Sequence, residues 1–169
     1  ADWAALRPFT ELEFEKACRG TAAAVAGEYA WGDSTNTQVS SLTNPGSSNE
    51  ISNTANANAH FNNSIYGPVR VGMFATSTST RIQSGASYYG VMELSGSMDE
   101  HIVTLGETTR GRIFTGLHGN GGLSTAGNAD VDYWPGNSGG GGAGGEVTTA
   151  LGSGLRGGNF TNANTSLRT

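Results

Sequence analysis

The sequence is poor in cysteine and in charge. Cys18 is the only cysteine among 169 residues, which excludes a disulfide framework within the chain. Charged residues make up 14% and the formal net charge is −5. No basic stripe exists to neutralise phosphates, so nucleic acid is excluded as a partner class. No apolar run is long enough for a membrane span. There is no secretory leader pattern; the chain begins inside a motif and reads as a mature or truncated product. The three histidines, His60, His101 and His118, lack ligand-like spacing. The glycine tract lacks the Lys-Ser/Thr of a phosphate loop.

What is abundant is glycine, 27 residues without a three-residue period, which excludes collagen. Asn, Ser and Thr are also frequent. Low charge and many small polar residues resemble a disordered composition, but aromatics from Trp3 to Phe160 are spread over the whole length. Disordered segments are depleted in them. The expectation is a single domain over residues 1–169, with long polar loops, as in many extracellular proteins.

The strongest local signal is the stretch from Leu6 to Gly20. Thr10 and Glu13 form a capping box, and Phe9 and Phe14 have the spacing of a hydrophobic staple. Leu12, Ala17 and Cys18 supply the apolar stripe, with Phe14 off it and serving mainly the staple. Gly20 ends the helix, and the later chain is expected to pack around it. Cys18 reads as a buried, inert thiol. Residues 1 to 5 end a preceding element anchored by Trp3.

Extended segments are expected at Pro68–Phe74, Ile102–Leu105, Gly111–Leu117 and Leu155–Phe160, with another beginning at Leu167-Arg168. Residues 75 to 87 read as a Thr/Ser-rich loop. Residues 118–150 read as a Gly-rich loop insertion, with Trp134 as an exposed anchor. Asp130 and Asp132, two apart, read as a solvated turn rather than a calcium pair. Asp99-Glu100-His101 has no nucleophile motif beside it and reads as polar strand and loop.

Four segments in order carry a resemblance. They are Leu6–Gly20 with Tyr29-Ala30-Trp31-Gly32; Gly67–Phe74; Tyr89–Glu100; and Leu155–Phe160 followed by Leu167-Arg168. Together they resemble the signature motifs of the formylglycine-generating enzyme (sulfatase-modifying factor) family. The resemblance implies an α+β fold of the complex C-type-lectin-like kind, with little regular secondary structure and long loops. The chain corresponds to the central and C-terminal part of such a domain. In that domain type the opening helix lies near the middle, so either the chain is a fragment of a longer domain or a neighbouring subunit supplies the earlier elements.

The family's enzymes use a reactive cysteine pair near the last motif. Here Asn159–Ser166 contains no cysteine, so that chemistry is not expected. The resemblance also implies Ca²⁺ at Ser97 and Glu100, with Asn58 for a second site. The alternative for these Asn and Ser side chains is the capping of loop backbone. Three functional readings stay open. The first is a non-catalytic structural or adhesive domain, secreted or on a cell surface, which self-associates into a filament or layer or binds another surface protein. The second is a C-type-lectin-like ligand- or receptor-binding module, using Trp134, Asn159, Phe160, Asn162, Asn164 and Ser166. The third is a divergent enzyme of the family.

Overall fold

A computed structural model describes residues 1–169. The chain is α+β and loop-rich, and its regular elements are short. Strand β1 is Phe9–Thr10 and helix α1 is Glu11–Arg19. Strands β2 (Leu42–Thr43) and β3 (Ile51–Ser52) follow, then helix α2 (Arg81–Ser84), β4 (Glu100–Val103) and β5 (Ser153–Arg156). One sheet has the order β1-β4-β5, with β1 parallel to β4 in the register Phe9 to Ile102 and Thr10 to Val103. The other is the antiparallel pair β2-β3. No helix is long and apolar enough to cross a membrane.

The ends of α1 are built as its sequence dictates. The Thr10 N–H donates to Glu13 Oε2 at 2.8 Å, and the Glu13 N–H donates to Thr10 Oγ1 at 3.2 Å. Each group satisfies a donor that the first turn leaves without a helical partner. Phe9 and Phe14 stack with centroids 6.2 Å apart. Gly20 follows at φ +65°. The buried line, however, runs through Phe14 and Cys18, while Leu12 is 62% exposed. Phe14 and Cys18 are four residues apart and share one face of a helix. The expected stripe through Leu12 is therefore corrected. Trp3 is not an anchor either, at 75% exposure. Its neighbour Asp2 is buried instead, its carboxylate accepting from the N–H groups of Asn120 and Asp130.

The chain forms two compact units, each made of two separated stretches. The first comprises residues 1–14 and 101–155, the second residues 15–100 and 156–169. In the second unit Tyr29, Trp31, Ala59, Phe61 and Leu167 form one apolar cluster, with Tyr29 stacked on Trp31 at 4.8 Å. Val39, Ala57, Val69, Met73 and Phe74 form another. Neither of these two clusters contains an α1 residue.

The first unit contains the expected loop 118–150. Its residues have defined positions, and Trp134 is 5% exposed, with its indole N–H donating to the Leu117 carbonyl at 2.9 Å. Trp134 is thus a core residue and not an exposed anchor. Asn137, 1% exposed, donates to the Val131 and Gly145 carbonyls and accepts from the Gly139 N–H. An isolated bridge pairs Asn137 with Val147.

Several expected strands are turns. Over 68–74 the Met73 N–H donates to the Arg70 carbonyl, and the Ala75 N–H to that of Gly72. The Arg70 N–H is taken by the Glu50 carboxylate at 2.6 Å. Residues 111–114 also turn, with the Phe114 N–H donating to the Gly111 carbonyl. Asn164–Leu167 is a short 3-10 helix. The strand expected over 155–160 lies at 153–156 and stops at Gly157, whose φ is +78°. Within the expected loop 75–87 sits α2, capped by its own box of Thr80 and Gln83.

Candidate functional site

The third and fourth family-like segments meet in the second unit. The Gly96 N–H donates to the Gly157 carbonyl at 2.8 Å, and the Phe160 N–H to the Ser97 carbonyl at 3.1 Å. Asn159 Nδ2 donates to Asp99 Oδ2. The segment at 58–60 closes the arrangement from another direction. The His60 carbonyl accepts from the Ser97 N–H at 2.8 Å, and the His60 ring stacks on Phe160 with centroids 6.1 Å apart and planes 12° apart. Two glycines make this approach possible. A Cβ on Gly96 would come within 2.6 Å of the His60 carbonyl oxygen. One on Gly157 would collide with Glu100 Oε2. Both also have positive φ, at +94° and +78°, a conformation that costs glycine little.

Burial favours the uncharged forms of Glu100, Cys18 and His60. Burial pushes the Glu100 carboxyl up to about 8, and the charges of Asp99 and Glu93 push the same way. Glu100 Oε2 is buried without a hydrogen-bond partner. Cys18, 1% exposed, is pushed up to about 12 by burial and by the carboxylates of Glu15 and Glu100. A thiol in that state is a poor nucleophile, which fits the inert role read from the sequence. Burial also lowers the His60 pKa. Its Nε2 is 3.1 Å from the Ile65 carbonyl, so Nε2 carries the proton and donates, while Nδ1 is buried without a partner.

Charge around α1 is instead arranged as a chain of pairs. Arg19 bonds Glu28, whose side chain is 3% exposed, at 2.5 Å. Arg19 also lies 3.3 Å from Glu15, and Glu15 pairs with Arg156. This chain ties the helix to residue 28 and to the end of β5. Arg81 anchors the same region through neutral partners, its Nη2 donating to the carbonyls of Cys18 and Ala30, both at 2.8 Å.

The side chains expected to hold calcium are engaged with loop backbone at Ser97 and Asn58 and buried at Glu100 Oε2. Ser97 Oγ accepts from the Val69 N–H at 3.2 Å. Asn58 Oδ1 accepts from the Thr37 N–H at 2.8 Å while its Nδ2 donates to the Ile82 carbonyl. Both side chains thus brace loop backbone. Of the three, only Glu100 has a free oxygen, and its carboxyl is the one burial keeps protonated. No group of three or more His, Cys, Asp or Glu side chains is placed to hold a metal ion. Asp130 accepts from Asn120 Nδ2 and Asp132 from the Gly144 N–H, so each is tied to a different loop.

The expected binding surface divides by unit. Asn159, Phe160, Asn162, Asn164 and Ser166 belong to the second unit and Trp134 to the first. Asn159 and Asn162 bond each other, Asn162 Oδ1 accepting from the Asn159 N–H at 2.9 Å. Asn164 and Ser166 are exposed. The sequence offers His60 only as a histidine without ligand-like spacing and Gly157 only as part of Leu155–Phe160, and it leaves Arg81 unmarked, although the 80–83 capping-box pattern could have flagged the helix that carries it. No protein-family model, curated protein or solved structure matches the chain.

Proposed function

We propose that this chain is a non-catalytic structural or adhesive domain of the C-type-lectin-like, formylglycine-generating-enzyme-like kind. It works outside the cell by associating with copies of itself or with another surface protein. The observation that carries this reading is the exposure of large side chains beside buried ones in the 66–74 segment. Tyr66 is 86% and Val71 68% exposed, whereas Val69, Met73 and Phe74 are buried. Single exposed apolar residues are ordinary. Two held out by a segment whose other apolar residues are fixed in a core suit a face that a partner covers. The burial of Cys18 and His60 supports a non-catalytic role, since the Cys18 thiol is pushed up to about 12 and the His60 ring is sealed inside with Nε2 bonded to the Ile65 carbonyl.

Light scattering and imaging of the purified chain test this. The expected result is concentration-dependent association that Tyr66→Ser with Val71→Ser weakens without changing thermal stability. Because Ser97 and Asn58 oxygens already brace backbone, a calcium chelator is expected to leave association intact. A chain that stays monomeric at all concentrations, alone and with surface extracts, defeats the proposal.

The binding-module reading draws on one further observation. Beyond Phe160, which is seated on His60, residues 163–166 are all exposed, and Asn164, Thr165 and Ser166 present small polar side chains on a fixed base. Alanine substitution of Asn164 and Ser166 would abolish binding to a surface ligand under this reading and leave self-association unchanged.

A further inference from the structure

The first unit contains a cavity of about 520 Å³ that the proposed function does not use. Pro8, Ile102, Trp134 and Pro135 line it with apolar surface, and His101 and Thr148 are among its polar residues. The size and mixed lining are those of small-molecule sites, which are mostly apolar with a few polar groups that fix orientation.

Two properties of the lining select a ligand class. First, none of the lining residues is Asp, Glu, Lys or Arg. A charged ligand would lose hydration there without gaining a counter-charge, which is costly. Second, most polar groups at the cavity already have partners. The Trp134 indole donates to Leu117, Asn128 Nδ2 donates to Glu146, and Ser153 Oγ donates to the Ala150 carbonyl. The hydroxyl of Thr149 accepts from the Leu151 N–H. The His101 imidazole and the Thr148 hydroxyl have no partner, and both residues are exposed. A neutral imidazole offers one donor and one acceptor, and a hydroxyl offers both. Apolar walls with so few free polar groups match a ligand that is mainly apolar and carries one hydroxyl. A sugar, with a hydroxyl on nearly every carbon, would leave most of them unpaired.

We infer that this cavity binds a small uncharged aromatic molecule bearing a hydroxyl, with the ring against the proline and tryptophan surface and the hydroxyl bonded to His101 or Thr148. The inference is independent of the association proposed above, which concerns residues of the other unit.

The test is titration of the whole chain followed by NMR of the His101 ring and the Trp134 indole N–H. The probes are p-cresol, p-hydroxybenzoate and methyl β-glucoside. Saturable shifts of both signals with p-cresol are expected. The ionised benzoate should bind about tenfold or more weakly, because its charge gains no partner. The glucoside should cause no shift. Thr148 and Ala150 are exposed, so variants there are expected to keep the fold. Ala150→Trp should abolish p-cresol binding by filling the cavity. His101→Leu combined with Thr148→Val should weaken p-cresol about tenfold while leaving toluene unchanged. Absence of saturable p-cresol shifts overturns the inference. So does equal binding of the benzoate, tighter binding of the glucoside, or p-cresol affinity that survives both sets of substitutions.

Discussion

The two units solve the same problem by different means. Both are dominated by irregular chain whose backbone donors and acceptors must be satisfied away from water. The second unit has enough large apolar residues to build clusters around Trp31 and around Val39, and adds a line of paired charges from Glu28 to Arg156. The first unit is rich in glycine and buries few such residues, namely Phe14, Ile102, Val103, Val131 and Trp134. It places short polar side chains inside and lets each one hold several loops. Asn137 holds three backbone groups, and Asp2 holds two. Nearer the surface, Glu107 gathers the hydroxyl of Thr109 and the N–H groups of Thr109, Arg110 and Gly111, and those bonds bring its carboxyl down to about 2. Where apolar volume is scarce, a buried amide or carboxylate with every atom partnered can define a loop as firmly as a core does.

The sharpest way to break this contrast is to remove one partner of the charge chain. Arg19→Met leaves Glu28 buried without its cation. The expected loss is about 3 kcal/mol in chemical denaturation, since an uncompensated buried charge costs far more than the pair contributes. Hydrogen exchange should show the loss in residues 15–100. In the first unit the equivalent lesion is Asn137→Ala, which strands two carbonyls and an N–H. About 2 kcal/mol is expected, with faster exchange over 131–145. Salt should modify the first of these effects and leave the second unchanged. Equal salt dependence would erase the distinction drawn between the units.

Glu100→Gln tests the neutral pocket of the second unit through pH. The carboxyl titrates near 8 in the folded chain against an ordinary value of 4.5. Between those values the folded state binds more protons than the unfolded one. The contribution of Glu100 is therefore complete below the ordinary value and is lost as pH rises towards 8. The glutamine variant should flatten the decline of stability over that window. An unchanged profile would show that Glu100 is ionised at neutral pH. The smallest effect is expected from Thr10→Ala at the cap of α1, about 1 kcal/mol. Because α1 begins in one unit and ends in the other, exchange at both of its ends measures how independently the units open.

How much of this was legible in the sequence depends on the range of the interactions. Capping and stapling of α1 involve residues within five positions of one another, and the sequence displays them directly. The buried thiol was also legible. The expected strands at 68–74 and 111–117 failed because their backbone groups are engaged locally or by distant side chains. Glu50 takes the N–H of Arg70, twenty residues on. Asn58 reaches back to Thr37 and forward to Ile82. Such bonds leave no periodicity in the sequence, since a short polar residue bracing a loop looks like one facing water. Trp134 was misplaced for the same reason. The glycines around it suggested an open loop, whereas Asn137 and the Leu117 carbonyl fix that loop around the ring.

The interleaving of the two units has a consequence for how the chain is made. Leu167 is fully buried in the cluster with Tyr29 and Trp31, and its carbonyl accepts from Ser95 Oγ. During translation, residues 101–155 are synthesised between that cluster's early members and Leu167. On the ribosome the second unit must therefore wait, with its aromatic residues incompletely covered, while the remaining sequence of the first is threaded out. Final closure waits until Leu167 has left the ribosome, and a chaperone that engages Trp31 would act in that interval.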